Sequence, residues 1–245
     1  MKFNTSNKLS LLVLILSFSQ LAHADFVGRL GGQAYYDTET NLTWLINGGA
    51  ITGTKYDEFG GGLTTWYSAI DWAQNLNIGG YSDWRLPTLQ PLNGISFNTF
   101  RSRDGSTDVG VNISRTGTVY AGSRASEIAY LYHNTLGNKS IPYIENQREI
   151  TPPGGYFTNS GPFINLEPGD VIWTNRKYEP LDDAAWAFHL YNGNQYIEQA
   201  SDAGRALAVR VGDVRNATEI PEPPMMILIG TIFLGVLGIN KRRTN

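Results

Sequence analysis

Residues 64–88 read TTWYSAIDWAQNLNIGGYSDWRLPT, and the rest of the chain is best read outward from this stretch. Trp66, Ala69, Ile70 and Ala73 recur at i, i+3, i+4 and i+7, the apolar stripe of an amphipathic helix. Thr64 or Thr65 supplies a hydroxyl to accept an early backbone N–H at its start. Gly79-Gly80 is the expected stop, because glycine adopts the left-handed C′ conformation without a Cβ clash. From Tyr81 to Leu86 the side chains alternate, Trp84 and Leu86 against Asp83 and Arg85, which predicts a short strand. Pro87 holds Leu86 extended. Trp66, Trp72 and Trp84 are three of the six tryptophans. Each removes about 150–250 Å² from water when buried, so the stretch reads as core before it reads as a site.

Upstream, Phe26 to Leu30 and Ala34 to Asp37 read as short strands around Gly31-Gly32, and Asn41 to Leu45 as a third that carries Trp44 inward. Residues 48–62 read as a glycine-rich loop. Downstream, Leu92 to Arg124 is polar and aperiodic, a long inserted loop with room for one hairpin. Ser126 caps a second helix whose buried face is Ile128, Leu131, Tyr132 and Leu136; Glu127 sits in the first turn and Gly137 stops it. Prolines and glycines from Asn138 to Gly169 read as surface loop. Val171 to Thr174 is a strand. Ala185 to Tyr191 alternates Trp186, Phe188 and Leu190 against Ala187, His189 and Tyr191. Asn192-Gly193 then signals a type I′ turn into Gln195 to Glu198. Ala206 to Val211 is the last strand. Trp44, Trp66, Trp84 and Trp186 are the expected core anchors.

Both ends carry processing signals. Lys2 and Lys8 precede an apolar run and an Ala22-His23-Ala24 cleavage site, so residues 1–24 read as a signal peptide cut after Ala24. Met225 to Ile239 holds 15 uncharged residues followed by Lys241, Arg242 and Arg243. At about 1.5 Å per residue this is short of the roughly 30 Å hydrocarbon core without flanking help, and the basic tail is expected to stay cytoplasmic. Residues 25–215 are left as one domain and 216–224 as a linker. From Asp25 to Pro221 there are 14 Lys plus Arg and 21 Asp plus Glu, so 14 − 21 gives −7. That balance argues against nucleic acid as a partner. Cysteine is absent, which excludes disulfides and thiol chemistry.

The blocks Y-D-T-x-T-x-L-T-W-L (36–45), W-x-x-A-x-x-W-A-x-x-L (66–76) and G-G-Y-S-D-W-R-L-P-T (79–88) resemble the Lcl C-terminal domain family. That domain is found at the end of a collagen-like bacterial adhesin. S-E-I-A-Y-L-Y (126–132), Trp173-Thr174, A-W-A-F (185–188) and A-V-R-V-G-D-V (208–214) continue the resemblance in order. It implies an α+β fold of the C-type-lectin-like group, two helices flanking small antiparallel sheets with long loops. The stretch from Leu92 to Arg124 departs from the pattern. Ile220-Pro221-Glu222-Pro223, the apolar run and the basic tail together resemble a PEP-CTERM sorting signal. This implies an exosortase-type processing enzyme as partner, transient anchoring in the inner membrane, and delivery to the cell surface or matrix.

Chemistry is sparse. After signal removal only His133 and His189 remain, each expected at the surface or half-buried. No G-x-S-x-G elbow occurs, and no catalytic residue is assigned. Glu179-Pro180-Leu181 with Asp182 and Asp183 resembles the Glu-Pro-Asn sugar and calcium motif of C-type lectins, with Leu181 where the amide belongs. Calcium takes six to eight oxygen ligands, of which this cluster could supply several. But no Trp-Asn-Asp follows, and Asp and Glu are ordinarily exposed, so a solvated acidic turn is the stronger reading; no cofactor is expected, with calcium the alternative. Tyr191, Asn194 and Tyr196 surround the hairpin tip with aromatic faces and amides that suit a sugar, although Asn-Gly is also what the turn demands. The expected function is a non-catalytic exported module that binds a glycan or extracellular polymer. The alternative is a structural matrix protein without a discrete ligand.

Overall fold

The computed structural model describes residues 26–140 and 154–214. The expected signal peptide with Ala24, the expected linker with Pro221, Glu222 and Pro223, and the apolar run with its basic tail lie outside them. Among the described residues no helix is long and apolar enough to cross a membrane.

The fold is α+β and mostly sheet. β1 (Phe26–Arg29), β2 (Ala34–Asp37), β3 (Leu42–Leu45) and β11 (Val209–Val211) form a four-stranded antiparallel sheet in that spatial order. A 3₁₀ turn over Leu30–Gly32 joins the first two strands. The larger sheet runs β4 (Leu63–Thr64), β10 (Gly204–Arg205), β7 (Val171–Lys177), β8 (Ala184–His189), β9 (Asn194–Gln199), β6 (Val109–Val111) and β5 (Arg101–Ser102). Its β10–β7 and β5–β6 pairs are parallel. The helices are α1 (Trp66–Gln74) and the short α2 (Glu127–Tyr130).

Thr65 caps α1, its side chain accepting from the Ser68 N–H. The helix ends earlier than its glycines suggest. Asn75 caps it and also bonds the Asp71 carbonyl through Nδ2. Gly79-Gly80 instead turns the chain between the bridged Ile78 and Tyr81. A Cβ on Gly79 would stand 2.4 Å from Leu30 Cδ2, so the glycine also allows this turn to pack on the β1–β2 corner. The buried stripe is Trp66, Ala69, Trp72 and Ala73, with Ile70 only half-buried.

The D-W-R-L-P-T block is not a strand of either sheet. It touches β11 through one bridge, Arg85 to Val209. Its alternation is nevertheless retained, and each residue is committed. Trp84 and Leu86 are buried in one core cluster. Asp83 takes a two-pronged ion pair from Arg210 at 2.7 and 2.9 Å, and Arg210 also lies over the Tyr81 ring. Arg85 forks onto Glu127 at 2.7 and 2.8 Å, and the Thr88 N–H donates to the same carboxylate. Asn175 donates its N–H to the Pro87 carbonyl. The block therefore ties β11, α2 and β7 together, with paired carboxylates and guanidiniums satisfying one another's hydrogen bonds.

Ser126 caps α2 by accepting from the Ala129 N–H. The helix continues as a π-helical turn, Leu131–Thr135, with the Leu136 N–H reaching back to the Leu131 carbonyl, and Gly137 (φ 69°) follows. β8 is buried on both faces, because α1 packs on the Ala185–Ala187 side and Phe97 on the Trp186 side. Its connection to β9 is not the two-residue turn expected. His189 pairs with Asn194, leaving four residues in the loop, with Gly193 at φ 64° donating to the His189 carbonyl. Of the expected last strand only Val209–Val211 pairs, as β11; β10, just before it, belongs to the other sheet.

The inserted stretch is more structured than its composition suggests. β5 and β6 pair in parallel, not as a hairpin, and β6 extends the large sheet along β9. Gly110 makes this possible at φ 132°, since a Cβ there would meet the Ser102 carbonyl oxygen at 1.9 Å. Asp108, 1 % exposed, accepts from the Leu92 and Asn98 N–H groups, and its own carbonyl takes the Gln195 side-chain amide.

Candidate binding site at the β7–β8 loop

Three of the predicted ligand residues lie on the loop between β7 and β8, which has a depression on either side. The geometry begins with a break in pairing. β7 and β8 are in register through Trp173–Ala187, lose it, and resume at Lys177–Ala185. Thr174 fixes this bulge by donating its hydroxyl to the Trp186 carbonyl while accepting the Arg176 N–H. Bulges bend a strand and re-aim its side chains. Here the re-aimed residue is Arg176.

The first depression, about 240 Å³, is lined by Phe97, Arg176, Lys177, Tyr178, Glu179 and Trp186 among others. Phe97, from the inserted stretch, lies 4.8 Å from the Trp186 ring, and the Arg176 guanidinium lies 5.4 Å from the Phe97 centroid. Tyr178 meets Trp186 edge-on at 6.0 Å. Arg176 Nε is buried without a hydrogen-bond partner. Lys177 is weakly engaged by Asp182 at 3.5 Å.

The second depression is larger and more open, about 470 Å³, and collects Leu181, Asp182, Asp183, Ile197, Glu198 and Gln199. Burial, and then the neighbouring Asp202 carboxyl, push the Glu198 carboxyl above the usual range. Glu179, Asp182 and Asp183 are exposed. Among the described residues no three acidic or histidine side chains stand close enough to hold a metal.

The hairpin-tip residues are not part of this site. The six-residue strands put about 17 Å between the loop and the tip. Tyr191 is half-buried, stacked near His189 at 6.0 Å and so close to Gly155 that a Cβ there would meet its ring at 2.5 Å. Asn194 is 7 % exposed. Tyr196 lies on the α1 side of the sheet, its hydroxyl pKa raised by burial and then by Glu198. Trp44, Trp66, Trp84 and Trp186 are all buried, as their expected role requires.

His189 is half-buried on the Asn194 face of the hairpin. His133 departs from expectation by being buried, held between the Asn138 carbonyl and Ser140 Oγ at 3.1 Å each. A carbonyl only accepts, so Nδ1 carries the proton and Nε2 accepts from Ser140. Burial lowers the imidazole pKa to about 4. Ser140 is 1 % exposed, so the pair is closed to substrate and serves packing.

Arg176 and Phe97 were not singled out by sequence. One signal was present: Arg176-Lys177 is the only adjacent basic pair between Asp25 and Pro221. Phe97 carried none, because its partner Trp186 is 89 residues away.

Comparison with curated proteins and with solved structures gave no match. The model of the Lcl C-terminal domain family matches residues 33–210. That span runs from the edge of β2 into β11 and encloses both ion pairs of the D-W-R-L-P-T block. The chain belongs to the Lcl C-terminal domain family.

Proposed function

We propose that this protein is an exported, non-catalytic binding module that takes a glycan or extracellular polymer at the β7–β8 loop. The observation that carries the reading is the bulge-fixed depression. Aromatic side chains, a guanidinium and an exposed carboxylate converge there on one concave surface, the mixture that orients a polar ligand with an apolar face. Family membership supports it, since the family takes its name from the end of an adhesin. The proposal extends to a C-type-lectin-like architecture, cleavage after Ala24, and a PEP-CTERM tail at Pro221-Glu222-Pro223 that an exosortase removes at the membrane. The destination is the cell surface or extracellular matrix.

The test is a glycan array probed with the full chain, with and without calcium. Binding of at least one extracellular polysaccharide at unchanged strength in chelator is expected. Silence across the array returns the protein to the alternative, a matrix component without a discrete ligand.

A further inference from the structure

The two sides of the β7–β8 loop differ in charge, and the difference bears on which sugar is taken. This step rests on the glycan-binding reading above. On the second side Asp182, Asp183 and Glu198 face the depression. On the first, Arg176 has no carboxylate partner within ion-pairing distance among the described residues, unlike Arg29, Arg85, Arg205 and Arg210. A guanidinium presents five N–H donors in a fixed fork. Arg176 lies over the Phe97 ring and donates its backbone N–H to Thr174, and its Nε is buried without an acceptor. A ring contact leaves the in-plane donors free, whereas a buried donor left unpaired is costly.

We infer that the Phe97–Arg176 depression seats the carboxylate of an acidic sugar, a uronate residue within an otherwise lightly charged polysaccharide. A planar carboxylate matches the guanidinium fork with two parallel hydrogen bonds. Phe97 and Tyr178 offer apolar surface to the sugar ring, while Thr99 and Glu179 on the same rim accept from its hydroxyls. About 240 Å³ is below the roughly 300–1,000 Å³ of pockets that enclose drug-sized ligands, and suits one sugar ring open to the continuing chain. The net charge of −7 from Asp25 to Pro221 explains why the polymer must be lightly charged. A dense polyanion would be repelled by the domain before reaching the one free cation in this depression.

Calorimetric titration of the full chain tests this with four probes: an oligosaccharide containing galacturonate, its neutral galactose counterpart, a sulfated uncarboxylated counterpart, and sodium acetate. The uronate oligosaccharide is expected to bind at least about 10-fold more tightly than the neutral and sulfated ones. Arg176→Gln is expected to lose roughly 10- to 100-fold of that affinity, the range for a hydrogen bond to a charged group. Arg176→Lys should recover part of it. A melting temperature unchanged in Arg176→Gln keeps the comparison free of folding effects; if it falls, Phe97→Ala with the same uronate is the second reading of the site, expected to weaken binding as well. Equal binding of neutral and uronate sugars, or full affinity in Arg176→Gln, overturns the carboxylate assignment and leaves glycan binding standing. Sulfate binding as tight as uronate makes the site a general anion site and overturns it too. No saccharide binding at all fails both readings, and tight acetate binding without sugar fails the saccharide part alone.

Discussion

At the scale of single residues, the least replaceable groups are buried polar ones whose hydrogen bonds are all internal. His133 is the clearest. Burial holds its imidazole neutral, the nearby Arg115 adds to this, and the Asn138 carbonyl opposes it only partly. Its folded pKa therefore lies below the unfolded value. Its stabilisation is complete above pH 6.5 and is lost as pH falls towards about 4, because in that window the unfolded chain binds the proton first. The displacement is worth on the order of 3 kcal/mol. His133→Gln keeps a donor for the Asn138 carbonyl and has nothing to titrate. Urea melts across pH 7 to 4 should show wild type losing stability relative to the variant through this window. Parallel curves would mean that His133 is not the titrating group. The Glu198 carboxyl, raised by burial, titrates with the opposite sign, and the variant comparison cancels it.

Elements show where local signals suffice. The start and buried stripe of α1, the β1–β2 corner and the pairing of β8 with β9 were legible from cap and periodicity, which lie within a few positions of what they control. The end of α1 and the length of the β8–β9 loop were not. The bulge at Thr174 was not legible, since it is fixed by the Trp186 carbonyl across a strand pair. Nor was the parallel β5–β6 pairing, where Gly110 looks like any other loop glycine until Ser102 is placed against it. The acidic half of the site was visible as Glu179, Asp182 and Asp183. The cationic half depended on the inserted stretch folding back onto β8, a long-range event that leaves no period. Asp108 is the hinge of that event. Asp108→Ala removes the acceptor of the buried Leu92 N–H, which left unpaired costs about 1–3 kcal/mol, and of the part-buried Asn98 N–H, which costs less because water can reach it. A loss of about 2–4 kcal/mol by urea denaturation is expected. A midpoint unchanged from wild type would show that water replaces the carboxylate and that the insertion is loosely held.

For the whole molecule, the two borders of the domain are held together. Arg29, at the end of the first strand, forks onto Asp213 at 2.6 and 3.0 Å, and Val214 is fully buried beside it in sequence. The described chain therefore begins and ends at neighbouring points. From Val214 to Pro221 the chain can reach at most about 25 Å, so the proposed tail would hold the domain near the bilayer until it is cut. Under the proposed sorting signal, Pro221 and Pro223, which lack an N–H and disfavour helix before them, would suit cleavage by a membrane-embedded protease. The protein recovered from the surface fraction of its native host is thus expected to begin at Asp25, end near Pro221 and lack Lys241, Arg242 and Arg243. Intact-mass measurement decides it. A mass that requires Asn245 would mean that the apolar run persists as an anchor and would rule out release into the matrix.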